Sequence, residues 1–86
     1  MVPIEIYAHL RQEPFQPIRI HLADGSSYEV RHRRNALVTL SDVAVAIETD
    51  GGDELPERLV WCDPMHVTRI EPLTENEKKA PRKRKQ

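Results

Sequence analysis

The stretch IRIHLADGSSYEVRH, residues 18–32, decides the fold of this chain. Apolar residues occupy every second position on both sides of a short turn, which is the pattern of two half-buried strands. The turn at 23–26 contains Gly25, which adopts a positive φ without steric cost. The stretch therefore predicts a β-hairpin with one side facing a core, and it places Arg19 and His21 on the opposite side.

The rest of the chain predicts further short strands joined by close turns. The segments with this pattern are strands at 36–40, 43–49, 58–62 and 67–70, a bend at 31–35 and a single 3₁₀ turn at 63–65. No helix separates the strands, so they pair as an antiparallel meander. Because roughly 45 residues of strand-rich body are too few for a two-layer sandwich, the predicted fold is mainly β: a small, strongly bent antiparallel barrel of the SH3 or Sm-like kind.

Residues 3–12 allow two interpretations. Pro3 suits the first turn of a helix and Glu5 suits its positive end. The apolar residues at 4, 6, 8 and 10 also alternate, as they would in a strand. We favour a short N-terminal helix, and the strand remains the alternative.

Charge divides the chain into two parts. All 14 acidic residues lie within 1–77 together with 7 of the 13 lysines and arginines, so this body has a net charge of −7. Residues 78–86, KKAPRKRKQ, carry the other 6 basic residues and no acid. A polar segment without apolar periodicity buries no core. We therefore predict one small domain at 1–72 and a disordered basic tail at 73–86.

The sequence contains no catalytic or metal-binding signature. Its single cysteine, Cys62, lies in the apolar run 59–62, which reads as a buried strand with Trp61 at or near the core. The four histidines lack the spacing of metal ligands, and no lysine precedes Lys78 to support Schiff-base or phosphate chemistry. We expect no enzyme activity, no cofactor, no metal site and no small-molecule substrate.

Two further expectations concern the location of the protein. No apolar run approaches the ~20 residues that a membrane span needs. The opening MVPIEIYAHL lacks the basic region of a signal peptide. We therefore expect a cytoplasmic protein without membrane contact.

A basic cluster at the end of the hairpin is the strongest candidate for contact with a ligand. Arginine forks match phosphate groups bidentately, and a basic tail binds polyanions without sequence preference. The strongest nucleic-acid-binding candidates are Arg31, Arg33 and Arg34; the further candidates are Arg19, His21 and, in the tail, Arg82, Lys83, Arg84 and Lys85.

The alternative is that the arginines of this cluster serve the fold. They would then pair with Glu29, Asp42 or Glu48 on neighbouring strands, as surface charges commonly do. Arg19 and His21 join the cluster only if strand pairing places them on the same face as Arg31. That geometric condition separates the two interpretations.

Two resemblances extend this reasoning. The pattern from Pro14-Phe15 through His32 resembles a set of short bacterial proteins that have no assigned activity. The order of elements over 18–72 is similar to the Sm-like family, with PIRIHLADG at 17–25 resembling its first strand and turn and MHVTRIEP at 65–72 its closing strand. That resemblance implies a small barrel that forms rings and binds RNA, with Asn35 at the position of the family's uridine-contacting residue.

Two functions therefore stand as equal hypotheses. The first is a module that binds RNA or another polyanion through the arginine cluster and the tail. The second is a protein-interaction or self-assembly module that acts through an exposed sheet edge. The tail and the Sm-like order favour the first, whereas the acidic body and the scarcity of aromatic residues for base stacking favour the second.

Overall fold

The computed structural model describes residues 1–49 and 55–79 of the 86. In chain order, the elements are helix α1 (Pro3–Leu10), strands β1 (Ile18–Leu22) and β2 (Ser27–Val30), a 3₁₀ turn (Arg33–Asn35), strands β3 (Ala36–Val38), β4 (Val43–Ile47) and β5 (Arg58–Cys62), a 3₁₀ turn (Pro64–His66), strand β6 (Val67–Pro72) and helix α2 (Glu75–Lys79). The predicted hairpin is present, with Gly25 at a φ of 90° in its turn.

The strands form two antiparallel sheets of three strands each. The first sheet has the order β2-β1-β6 and the second has the order β3-β4-β5. The sheets pack against each other where β2 contacts β4. A mainly β antiparallel fold with a short N-terminal helix is thus confirmed. No closed barrel occurs among the described residues, so closure of the two sheets into a barrel stays a prediction.

Alternation along the strands builds one core between the sheets. Ile18 and Ile20 of β1 and Val43 and Val45 of β4 are buried, because each pair is two residues apart and faces the same side. Helix α1 adds Ile6 and Leu10, which lie four residues apart on one helical face. A strand would place Ile4 on the same side as Ile6, but Ile4 is 69 % exposed, and residues 3–10 form the helix.

The end of the chain differs from the predicted disorder at 73–86. Leu73 is buried, and α2 follows it directly. A capping box begins this helix: the Thr74 hydroxyl accepts a hydrogen bond from the Glu77 amide at 3.1 Å, and the Glu77 carboxylate accepts one from the Thr74 amide at 2.9 Å. The pattern Thr-x-x-Glu is the signal in the sequence that indicates this helix start. Residues 80–86 lie outside the described part of the chain.

Candidate functional site

The predicted basic cluster meets its geometric condition, because Arg19 and Arg31 lie side by side. Both contact one carboxylate: Arg19 Nη2 lies 2.9 Å from Glu29 Oε2, and Arg31 Nε donates to Glu29 Oε1 at 3.0 Å. Arg19 also pairs with Glu77 of α2 at 2.6 Å. The guanidinium of Arg31 donates to the backbone carbonyls of Glu77 and Lys78. These two arginines therefore hold α2 against the first sheet.

His21 and Asn35 also have partners within the protein. His21 Nε2 lies 2.7 Å from a carboxylate oxygen of Glu71, and this hydrogen bond holds the pKa of Glu71 below its ordinary value. Asn35 is only 7 % exposed, and its Nδ2 donates to Glu48 Oε2 at 3.3 Å. A residue this buried offers little surface to a nucleotide base, unlike the contact residue that the Sm-like resemblance implies.

Arg33 connects the 3₁₀ turn that follows β2 to the end of helix α1. Its guanidinium donates to the backbone carbonyls of Leu10 at 2.8 Å and Gln12 at 2.7 Å, and it pairs with Glu13. The same group lies over the ring of Phe15, 5.6 Å from its centroid. The C-terminal carbonyls of a helix need donors, so this arginine has a structural role.

Two members of the basic cluster remain open to a ligand. His32 and Arg34 are exposed, and their side chains have no hydrogen bond or ion pair in the described part of the chain, although the His32 carbonyl accepts from the Asn35 amide. They line an open depression of about 570 Å³ together with Phe15, Arg31 and Arg33. The four tail candidates at 82–85 lie outside the described residues.

A second surface, which the sequence reasoning missed, lies on the second sheet. Its outer side carries three large apolar side chains that are more than half exposed: Leu37 at 64 %, Leu59 at 54 % and Trp61 at 63 %. In the strand register, Ala44 lies between Leu37 and Trp61, and Ala46 lies beside Leu59. We call these five residues the apolar face. Ala44 is only 7 % exposed between its larger neighbours, whereas the three large side chains remain open, and β5 is an edge strand.

The prediction that 59–62 is a buried strand with Trp61 near the core is wrong for half of its residues. Val60 and Cys62 pack against the core, whereas Leu59 and Trp61 point to the other side. A short apolar run reads the same whether both of its faces are covered or only one. Burial raises the pKa of the Cys62 thiol and keeps it protonated, as is typical of a structural cysteine.

Acidic residues border the apolar face at both ends of its strands. By alternation, Asp42 and Glu48 continue the outer row of β4, and Asp63 continues that of β5. Glu57 precedes β5 at an irregularity of the ladder, where its amide donates to the Ile47 carbonyl that lies opposite Arg58. Glu57 has a distant ion pair, 3.9 Å from Arg58. In this outer row of β4 and β5, the described residues include no lysine or arginine.

The described residues offer no further candidate site besides the basic cluster and the apolar face. Among the described residues, no group of three or more His, Cys, Asp or Glu side chains is placed to hold a metal ion. Neither of the helices is long and apolar enough to cross a membrane. The chain matches no family model, no curated protein and no solved structure. The function is therefore argued from the residues of the two surfaces.

Proposed function

We propose that this protein is a non-enzymatic docking module that binds a segment of another protein on the apolar face and the adjoining edge of β5. The observation that carries the proposal is the exposure of Leu37, Leu59 and Trp61 on one side of one sheet. Scattered single apolar residues are normal on a protein surface, but a contiguous group marks an interaction site. Tryptophan is among the residues that contribute most to binding at interfaces.

The charge distribution also favours a protein ligand over a nucleic acid. The body at 1–77 has a net charge of −7, which repels a polyphosphate backbone. Arg19, Arg31 and Arg33 already have hydrogen-bond partners within the chain. Binding phosphate with these arginines would break contacts that hold the two helices.

A selection from a random peptide library tests the docking function. We expect the full-length protein to enrich peptides that lose their binding to the Trp61→Ser variant. Ile4→Ser is the matched control, because Ile4 is a large apolar residue of similar exposure that lies on α1. Peptides that bind all three proteins equally would show that the apolar face is not the binding surface.

Nucleic-acid binding is a second candidate, and one observation favours it. The side chains of His32 and Arg34 are exposed beside the open depression and have no hydrogen-bond or ion-pair partners among the described residues. The test is fluorescence anisotropy of a mixed-sequence single-stranded RNA at two salt concentrations. We expect the wild-type chain and Arg34→Ala to bind equally weakly, and a variant with residues 82–85 changed to glutamine to lose the salt-sensitive part of this binding. Salt-sensitive binding that Arg34→Ala abolishes would favour the RNA function over docking.

The Sm-like resemblance adds two proposals, barrel closure and ring assembly. The packing of β2 on β4 supports closure of the two sheets into a small barrel. Ring assembly is the competing use of the edge of the second sheet, and the oligomeric state in solution decides between it and docking. We place the docking function in a bacterial cytoplasm, for which the resemblance and the single cysteine are the support.

A further inference from the structure

We propose that the docked segment is an extended basic one, which adds to the edge of β5 as a fourth strand of the second sheet. This inference rests on the docking function proposed above and names the chemistry of the partner. The partner sequence would carry a lysine or arginine at its first and seventh positions and apolar residues at its third and fifth. The pattern follows from the side chains that β5 presents.

The outer row of β5 determines the spacing of this pattern. Leu59, Trp61 and Asp63 occupy alternate positions, and the exposed Glu57 precedes them at the irregular start of the strand, so an acidic residue stands at each end of an apolar pair. An antiparallel strand added beside β5 places its own alternate side chains directly opposite Leu59, Trp61 and Asp63, and its end lies beside Glu57. Apolar residues then face Leu59 and Trp61, and basic residues face the two carboxylates.

The neighbouring strand β4 repeats the same arrangement. Its outer row runs Asp42, Ala44, Ala46, Glu48, and the register sets Ala44 beside Trp61 and Ala46 beside Leu59. In this register Asp42 lies near Asp63 at one end of the apolar face. At the other end the Glu57 amide donates to the Ile47 carbonyl at 2.7 Å, so the pairing shifts by one residue there, and the Glu48 carboxylate accepts from Asn35. The two ends are about 20 Å apart along the strands. Like charges placed together attract a cationic partner.

The same charges disfavour a second copy of this chain as the occupant. Two antiparallel β5 strands centred on Val60 would pair each Leu59 with the other copy's Trp61, which is favourable. The same register sets Glu57 opposite Asp63 twice, and like charges directly opposite are destabilising. The two acidic bodies also repel each other. A basic segment satisfies the apolar and the charged positions together.

The edge of β5 is available for this addition. The second sheet ends at β5. Among the described strands, only β4 pairs with β5, so the other side of β5 is unpaired. An added strand gains affinity from main-chain hydrogen bonds and specificity from alternate side chains. The short apolar edge explains why a soluble chain of this size exposes its only tryptophan there.

The test uses the synthetic peptide Lys-Thr-Leu-Thr-Val-Thr-Lys with the full-length protein. Trp61 is the only tryptophan of the chain, so its fluorescence reports contact at the apolar face directly. We expect a saturable blue shift with this peptide. A matched peptide with glutamate at both ends should bind at least ~10-fold more weakly. Amide exchange should slow along β5 in the complex.

A charge exchange makes the test specific. We expect Glu57→Lys to lower the affinity for the lysine peptide about 5-fold and to raise the affinity for the glutamate peptide. Glu75→Lys is the matched control on α2, because Glu75 is exposed and distant in the fold from β5, and it should change both affinities less than about 2-fold.

The remaining outcomes separate this inference from the docking function. The fluorescence of Trp61 could stay unchanged up to about 1 mM peptide, while the library yields non-basic peptides whose binding depends on Trp61. That pair of results would overturn the basic partner and leave the docking function intact. A failure of both experiments overturns both proposals. A dimer in light scattering that Trp61→Ser converts to a monomer shows that the occupant is a second copy, which also overturns the inference.

Discussion

The outer faces of the two sheets differ in whether their side chains have partners within the chain. On the first sheet, Arg19, Glu29 and Arg31 contact one another and are covered by α2. On the second sheet, Leu59 and Trp61 have no such cover among the described residues. The first face has satisfied its charges within the chain and has little left to offer a ligand.

This difference teaches that the two kinds of face respond differently to loss of a side chain. Removing a member of the ion-paired face leaves other polar groups without partners, so stability falls. Removing one of the exposed side chains of the apolar face, Leu37, Leu59 or Trp61, takes away surface that already contacts water, so stability changes little. The following predictions test this contrast, beginning with the core that both faces share.

The largest effect is expected from the shared core. Ile20 is almost fully buried beneath the first sheet and belongs to the same cluster as Val43 and Val45 of the second. Ile20→Ala should lower the free energy of unfolding by about 2–5 kcal/mol, since it removes buried methyl groups and leaves a cavity. Urea denaturation followed by circular dichroism measures this loss. A loss below about 1 kcal/mol would mean that the sheets do not share one core.

A smaller loss is expected at the centre of the ion-paired face. Glu29 accepts hydrogen bonds from both Arg19 and Arg31, and its side chain is about one-fifth exposed. Glu29→Ala should cost roughly 1–2 kcal/mol, less than a fully buried ion pair because water partly screens these charges. Glu57→Ala on the other sheet is the control and should stay within about 0.5 kcal/mol. Equal losses in the two variants would contradict the contrast between the faces.

Acid should weaken the contact between α2 and the first sheet. Hydrogen bonds from the Thr74 amide and from Arg19 hold the pKa of Glu77 below its ordinary value of 4.5. A carboxylate with a lowered pKa stabilises the folded state above its unfolded-state pKa, and this contribution disappears as the pH falls through the folded-state pKa. We expect the Thr74 and Glu77 amide signals in NMR spectra to shift as the pH falls below 4.5. A Glu77→Gln chain should lose this transition, and its persistence there would assign the effect to another group.

Sequence patterns predicted the local elements better than the contacts between them. The turn at Gly25 and the bounds of β5 follow from local residue types, because turn chemistry and alternation act over a few positions. The pairing of Arg19 with Glu77 joins residues far apart in the chain, so no local pattern indicates it. Helix α2 had a local signal in Thr74 and Glu77, which the basic composition of the tail obscured.

The candidate site was predicted least well, for a physical reason. The arginine cluster was a candidate because charge can be read directly from a sequence. The partners of charged side chains depend on the tertiary fold and cannot be read in this way. The apolar run at 59–62 looked like core because exposure depends on what covers the outer side of a strand.

The smallest effect on stability, and the sharpest test of the contrast, is expected at Trp61. Trp61→Ser should change the free energy of unfolding by less than about 0.5 kcal/mol, because the indole is 63 % exposed and its loss opens no cavity. A typical tryptophan packed in a core would cost about 3–5 kcal/mol on truncation. Chemical denaturation followed by circular dichroism measures the change without relying on the removed fluorophore. A stability loss of core size would mean that Trp61 serves the fold, and a near-zero loss leaves an interaction with a partner as the reason for an exposed tryptophan on an edge strand.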